Sequence, residues 1–438
     1  MQEKVFAYLE ANQERAIDLL KELISFESVA TPTDDPAAPQ GQAVLDCLLC
    51  AKRAAEGLGL STMNLDGHAL LIDDTAENDA KIGMLCHLDI VPAGEGWTHK
   101  PFAAEIEDGK LYGRGATDDK GPFVSALFAL AALKNCGADL KHHVRLIAGT
   151  CEETGSADIA YCKEKGVIPP HVFSPDASFP VVNTEKGIAR FSLSATLPAG
   201  TRLATVRGGE VINMVPQNAH ATLSDSTTVT EIGKAAHAST PHLGENAISR
   251  LLDTLCERLM DDAAYPVLLA ARDLHPLHET DGASLNLKDE EPIAGPLTAN
   301  LGLIDLTDGV LTLSFDVRYP LNVNEEILRE RLAKRLKDTP FALADMNVMP
   351  PHHVPEESAL VQSLLAAYES VSGKKGYCMS MGGGTYVHDI DGGVAFGTVY
   401  PDEDCCIHSP DEFIPVGDLV QNAKIFAASL LRLQEQDL

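Results

Sequence analysis

Residues 82–92 read Ile82-Gly83-Met84-Leu85-Cys86-His87-Leu88-Asp89-Ile90-Val91-Pro92. A short apolar run that ends on a histidine and an acid is the pattern of a buried strand delivering side chains to its carboxyl end. Two further runs behave alike. Residues 144–148 lead into Cys151-Glu152-Glu153-Thr154-Gly155, and residues 172–174 into Pro175-Asp176-Ala177. Helical patterns at 42–58 and 123–133 are interleaved with these strands, so this part of the chain predicts a layered α/β sheet. In open sheets of this kind the carboxyl ends of the strands form the ligand crevice, and the three turns are expected to converge.

Working outward, a fourth cluster, Gly113-Arg114-Gly115-Ala116-Thr117-Asp118-Asp119-Lys120-Gly121, opens the helix expected near Phe123, and His408 is a fifth candidate near the C-terminus. Two imidazoles and several carboxylates offer the mixed nitrogen and oxygen ligation that suits zinc, cobalt or manganese, without any thiolate. A His-x-Asp or a Glu-Glu pair alone is commonplace. Placed at converging strand ends, the set is informative. Asp89, two residues beyond His87 on an extended strand end, is expected on the same side, where it could hold the second nitrogen of the imidazole.

After Gly187 the pattern changes to alternation at 189–197, with a further strand at 310–319 and a helix at 325–336. This block reads as a separate α+β unit. The proline-rich run Met349-Pro350-Pro351-His352-His353-Val354-Pro355 reads as the linker that returns from it. Helical patterns at 360–370 and 419–433 then flank Met381-Gly382-Gly383-Gly384-Thr385-Tyr386 and a short strand at 394–396. The expected architecture is therefore a discontinuous α/β domain, 1–186 and 355–438, with an inserted α+β domain, 187–354. A chain of 438 residues exceeds what one core usually spans.

Composition narrows the function classes. With 64 acidic and 34 basic side chains the formal charge is -30, which repels phosphate backbones and excludes nucleic acid as a natural partner. No apolar run approaches the roughly 18 residues of a membrane span. The N-terminal stretch has scattered charges and Leu9, Leu20, Leu23 and Ile24 at helical spacing, so it is expected to be a surface helix rather than a secretory signal. Ten irregularly spaced cysteines read as reduced thiols of a cytoplasmic protein, and Cys47-x-x-Cys50, inside a helical pattern, reads as core packing.

The ordered motifs resemble the M20 family of metallopeptidases, and in particular its dipeptidase V branch. The matching pieces are His87-Leu88-Asp89-Ile90-Val91-Pro92, the run 113–121, Glu152-Glu153-Thr154-Gly155, Ser174-Pro175-Asp176, Gly233-Lys234-Ala235-Ala236-His237-Ala238-Ser239, Asp316-Val317-Arg318-Tyr319-Pro320, Gly382-Gly383-Gly384-Thr385 and His408-Ser409-Pro410-Asp411-Glu412. The resemblance implies a di-metal catalytic domain with an inserted lid. It implies two divalent ions, zinc first with manganese or cobalt as alternatives, sharing Asp118, with His87 and Asp176 on one side and Glu153 and His408 on the other. It makes Glu152 the general base for the attacking water, and it implies a cis peptide bond between Asp118 and Asp119. In the inserted domain it implies His237 as a donor to the oxyanion, Arg318 as reader of the substrate's terminal carboxylate, and Asn213, Gly383 and Thr385 as lining of the same cleft.

The expected activity is hydrolysis of unblocked dipeptides by a monomer or homodimer, with a small peptide as the only partner. Deacylases of N-acetyl or N-succinyl amino acids share this ligand set and are the alternative; the long middle block favours the dipeptidase. A catalytically silent metal- or peptide-binding protein is a further reading, against which the presence of Glu152 beside a full ligand set argues. Cys151, Cys405 and Cys406 leave a thiol hydrolase as the runner-up chemistry, disfavoured by the surrounding carboxylates.

Overall fold

A computed structural model of the chain describes residues 1–76, 79–401 and 403–438. They form two compact units, one of Met1–Asn183, Val354–Met379 and Gly384–Leu438, the other of Thr184–His353 and Ser380–Gly383.

In the sheet of the first unit six neighbouring strands run Ser61–Leu65, Ala69–Asp73, Val144–Gly149, Ile82–His87, His171–Ser174, Val394–Ala395. The last four strands are mutually parallel and almost entirely buried, which is why they read as continuous apolar runs without alternation. Register then fixes the site. Ile82 lies opposite Val144 and His87 opposite Gly149, so both strands end at one level. Met84 lies opposite Phe173, so Asp176, three residues beyond Phe173, emerges level with His87.

Against this sheet packs the helix Lys120–Asn135, in which residues 120–133 are all buried. It has no polar face because the helices Gln2–Ala11, Gln13–Ile24 and Val416–Leu433 cover it. Gly121 is obligatory at its start: a Cβ there would lie 2.1 Å from the Ala116 carbonyl oxygen. The N-terminal stretch, expected as one helix, is two. Asn12 takes φ -109° and ψ 14° and bonds back from Nδ2 to the Tyr8 carbonyl at 2.8 Å, a polar side chain competing for helix carbonyls. The helix that follows buries Ile17, Leu20, Leu23 and Ile24 in the core, so only its other face is surface.

The second unit is an antiparallel sheet in the order Thr228–Ile232, Asn218–Leu223, Leu203–Gly208, Thr298–Thr307, Val310–Tyr319, Gly187–Thr196, Ala342–Met349. Its strands do alternate: Phe191, Leu193 and Ala195 face the same core as Leu311, Leu313 and Phe315. The helices Ala247–Arg258, Tyr265–Leu274 and Glu325–Leu336 close that core from one side. Asn246 and Asn324 cap two of them by accepting N–H groups of the first turn. Among the described residues no helix is long and apolar enough to cross a membrane, and all ten cysteines are unpaired.

Candidate metal centre

The strand ends of the first unit and two of its loops, those of Asp118 and His408, bring six ionisable side chains together. His87, the last residue of its strand, is fully buried. Its Nε2 stands 2.9 Å from Asp118 Oδ1 and 3.9 Å from Asp176 Oδ2. Asp118 turns its other oxygen, Oδ2, to His408 Nε2 at 2.9 Å, and that nitrogen is also 3.0 Å from Glu153 Oε1. One carboxylate thus sits between two imidazoles with an oxygen aimed at each. The peptide bond between Asp118 and Asp119 is cis. Asp119 lies in a supporting place: its Oδ2 accepts the N–H of His87 at 2.9 Å.

Donor atoms of His87, Asp118 and Glu153 lie within 4.8 Å of one another, and so do those of His87, Glu152 and Asp176. Distance alone therefore does not separate Glu152 from a ligand. The adjacent glutamates differ in their partners, since Glu153 is bonded to His408 and Glu152 is not.

The electrostatics are those of a cation site. Burial would push His87 down, yet Asp118 and Asp89 beside it carry it well above the ordinary imidazole range. Burial likewise opposes charge on His408, but Asp118 and Glu153 raise it to about 10. Asp118 shows the converse: burial would raise it, and the two imidazoles hold it well below the usual carboxylate range. Burial lifts Asp176 far above its ordinary value with Asp118 adding to it, and lifts Glu152 to about 8 with Glu153 adding to it. Crowded carboxylates without enough positive charge take up protons. A divalent cation answers that shortage, and the imidazole and carboxylate donors fit zinc, manganese or cobalt.

Asp89 stands against the second nitrogen of His87 and holds it with two groups. The His87 Nδ1 partner is the main-chain oxygen of Asp89 at 3.0 Å, with carboxylate Oδ1 at 3.4 Å. That carboxylate also accepts the N–H groups of Glu152 and Glu153, each at 3.1 Å. The reason lies in the turn Glu152–Thr154, a single 3₁₀ turn whose first N–H groups have no helical partner and attract an anion. Asp89 therefore holds both the ring and the turn carrying the two glutamates.

Sequence reading missed the support beneath that turn. Buried Asp158 accepts the Thr150 N–H at 2.6 Å, the Cys151 N–H at 3.0 Å and the Tyr386 hydroxyl at 2.5 Å. Gly149 leaves room for them, because a Cβ there would lie 2.1 Å from Tyr386 Oη and 2.3 Å from Asp158 Oδ2. The thiol alternative gains no support. Burial and then Asp158 push Cys151 well above the ordinary thiol range, and burial raises Cys405 to about 11 and also raises Cys406. A nucleophilic cysteine needs the opposite shift.

The remaining candidates divide between the units. Thr385 belongs to the first, where it caps the short turn Tyr386–Asp389 by accepting the Val387 N–H. Asn213, His237, Arg318 and Gly383 belong to the second. The run 382–385, expected to act as one loop, is thus shared between units. Asn213 offers its carbonyl to Ala238 at 2.9 Å, beside His237. His237 Nδ1 receives the Ser239 N–H at 3.2 Å and lies 2.7 Å from Ser239 Oγ. Arg318 is buried, with Nε and Nη2 on the two oxygens of Asp316 at 2.5 and 3.1 Å and Nη1 on the Gly382 carbonyl at 2.5 Å.

Residues 83–432 match the model of the peptidase family M20/M25/M40. The Bacillus subtilis (strain 168) protein YtjP is 32% identical to the chain, over 95% of this chain and 97% of that one. The Beta-Ala-Xaa dipeptidase of Lactobacillus delbrueckii subsp. lactis is 30% identical over 98% of each chain. In fold, the chain is similar to human carnosine dipeptidase 1, with a TM-score of 0.61 at 18% identity over 99% of each chain.

Proposed function

This chain belongs to the peptidase family M20/M25/M40, and from that premise we propose that it is a cytoplasmic, two-metal dipeptidase acting on unblocked dipeptides. The observation that carries the reading is Asp118 between His87 and His408, one oxygen toward each, with Asp176 on one side and Glu153 on the other. A carboxylate in that place can be shared by two cations, zinc in the first instance. When bound, the ions supply Lewis-acid polarisation of the scissile carbonyl and lower the pKa of the attacking water.

The chain's own residues do the rest. Asp89 presents the Glu152–Glu153 turn, and Glu152 receives the proton of the water at its free carboxylate. Burial lifts that carboxyl to about 8 in the chain alone, whereas a nearby cation favours its charged form, so the loaded site holds it ready as a base. The second unit is the inserted lid in this reading. The Ser239 N–H donates to His237 Nδ1, and His237 is assigned the role of donor to the oxyanion. Asn213, Gly383 and Thr385 are assigned to the substrate cleft.

The test is a side-by-side assay of the zinc-loaded chain on unblocked dipeptides, N-acetyl amino acids and N-succinyl-diaminopimelate. Dipeptides should be hydrolysed with the highest kcat/KM. Preference for an acylated amino acid would replace this reading with a deacylase, and tight binding without turnover of any of them would leave a silent binding protein.

Arg318 supplies the check on substrate polarity. Its contacts with Asp316 and Gly382 occupy three N–H groups, leaving two of five for a carboxylate. Lysine cannot hold Asp316 and a substrate carboxylate in the same planar fork. Arg318→Lys should raise KM for free dipeptides more than it lowers kcat, with about 10- to 100-fold lost in kcat/KM, the scale of a charge-assisted hydrogen bond. C-terminally amidated dipeptides should lose much less, and an equal loss on both would show that Arg318 does not read the carboxylate.

A further inference from the structure

The loop that carries His408 also carries Glu412, a fully buried acid that the ligand set leaves unexplained. Its Oε2 accepts Arg114 Nη1 at 2.6 Å, and its Oε1 accepts the N–H groups of Thr117 at 3.0 Å and Asp118 at 3.2 Å. The two loops are stitched again by main-chain groups: the Gly113 N–H donates to the Glu412 carbonyl at 2.9 Å, and Thr117 Oγ1 to the Phe413 carbonyl at 2.6 Å. Arg114 is buried as well, its Nη2 on the Ala93 carbonyl at 3.2 Å. Next to Glu412, Asp411 fastens the same loop by accepting the N–H groups of Thr98 and His99, each at 2.9 Å.

A buried ion pair is a poor device for stability alone, since apolar replacements of similar volume often serve as well or better. The allocation of its oxygens is what matters here. One oxygen is spent on the cation of Arg114, and the other on the two amides that lead into Asp118. An aspartate side chain has only two rotatable bonds, so fixing its main chain confines where its oxygens can point. We propose that Glu412 is a positioning residue for the metal centre, its carboxylate fixing the Thr117–Asp118 amides so that Asp118 offers one oxygen toward His87 and the other toward His408. Because Glu412 travels with His408, the ligand loop and the shared carboxylate are set by one clamp. The inference rests on reading Asp118 as the shared ligand.

Two double variants separate the clamp from the charge pair. Arg114→Met with Glu412→Gln removes both charges and keeps an oxygen to accept the two amides, while Arg114→Met with Glu412→Met removes the acceptor too. Zinc is titrated into each metal-free protein against a chromophoric chelator, with Asp118→Asn alongside, and thermal midpoints are recorded without metal. The methionine pair should bind its weaker zinc about 10- to 100-fold less tightly than the glutamine pair, the usual loss when support around a ligand is removed. Equal affinities for the two pairs overturn the proposal. Should the methionine pair fail to fold, Arg114→Met with Glu412→Leu takes its place, lacking the acceptor likewise: its zinc affinity should fall below that of the glutamine pair, and equal affinity overturns the proposal. Undiminished binding by Asp118→Asn would instead sink the shared-ligand reading itself.

Discussion

Replacing Glu152 by Gln should lower dipeptide turnover by about 10²- to 10⁴-fold, the usual contribution of a positioned base, while both metals stay bound. Glutamine has the same shape, and the Glu152 N–H that Asp89 holds at 3.1 Å belongs to the main chain and is untouched. Only the proton acceptor is removed. KM should therefore change little, because the group acts in the transition state rather than in substrate binding. The prediction is exposed to failure because Glu152 lies as close to His87 and Asp176 as a ligand would. Metal analysis of the purified variant, together with kcat and KM, checks it.

Glu153→Gln should fail differently. The Glu153 carboxylate is bonded to His408 and shares that imidazole with Asp118, so it faces the centre with a partner already in place. A neutral amide is a poorer donor to a divalent cation than a carboxylate. One ion should bind at least about 10-fold more weakly, since changes merely around a ligand already cost 10- to 100-fold. Activity should be low at ordinary metal concentration and return in part when metal is added in excess. A metal titration of turnover reads both effects.

The converging core of this site is legible because strand, turn and chemistry coincide. Ile82–His87, Val144–Gly149 and His171–Ser174 are buried on both faces, so they stand out as apolar runs, and the next residues carry the acids and His87 at their ends. Asn218–Leu223 and Leu203–Gly208 gave no such signal, because their exposed faces carry Asn218, His220, Thr205 and Arg207 among small apolar residues. The split at Asn12 was invisible too, since an asparagine within a periodic stretch declares a break only once its side chain finds the Tyr8 carbonyl. What composition cannot disclose above all is a carboxylate whose partner is main chain. Asp158, Glu412 and the carboxylate of Asp89 all hold N–H groups, which every residue but proline has, so no pattern of side chains announces them. The motifs offered the six side chains of the centre, the resemblance gave them roles, and the structure adds the supports that aim them.

The most direct measurement is metal content and dipeptide turnover on the same preparations of the unaltered chain, Glu152→Gln and Glu153→Gln. The account predicts two ions per chain and full turnover in the first, two ions and almost no turnover in the second, and fewer ions with metal-rescued turnover in the third. A metal-free unaltered chain that hydrolyses dipeptides at full rate would contradict the two-metal reading. Loss of ions from Glu152→Gln, with Glu153→Gln inactive but fully loaded, would show that the two glutamates have exchanged roles.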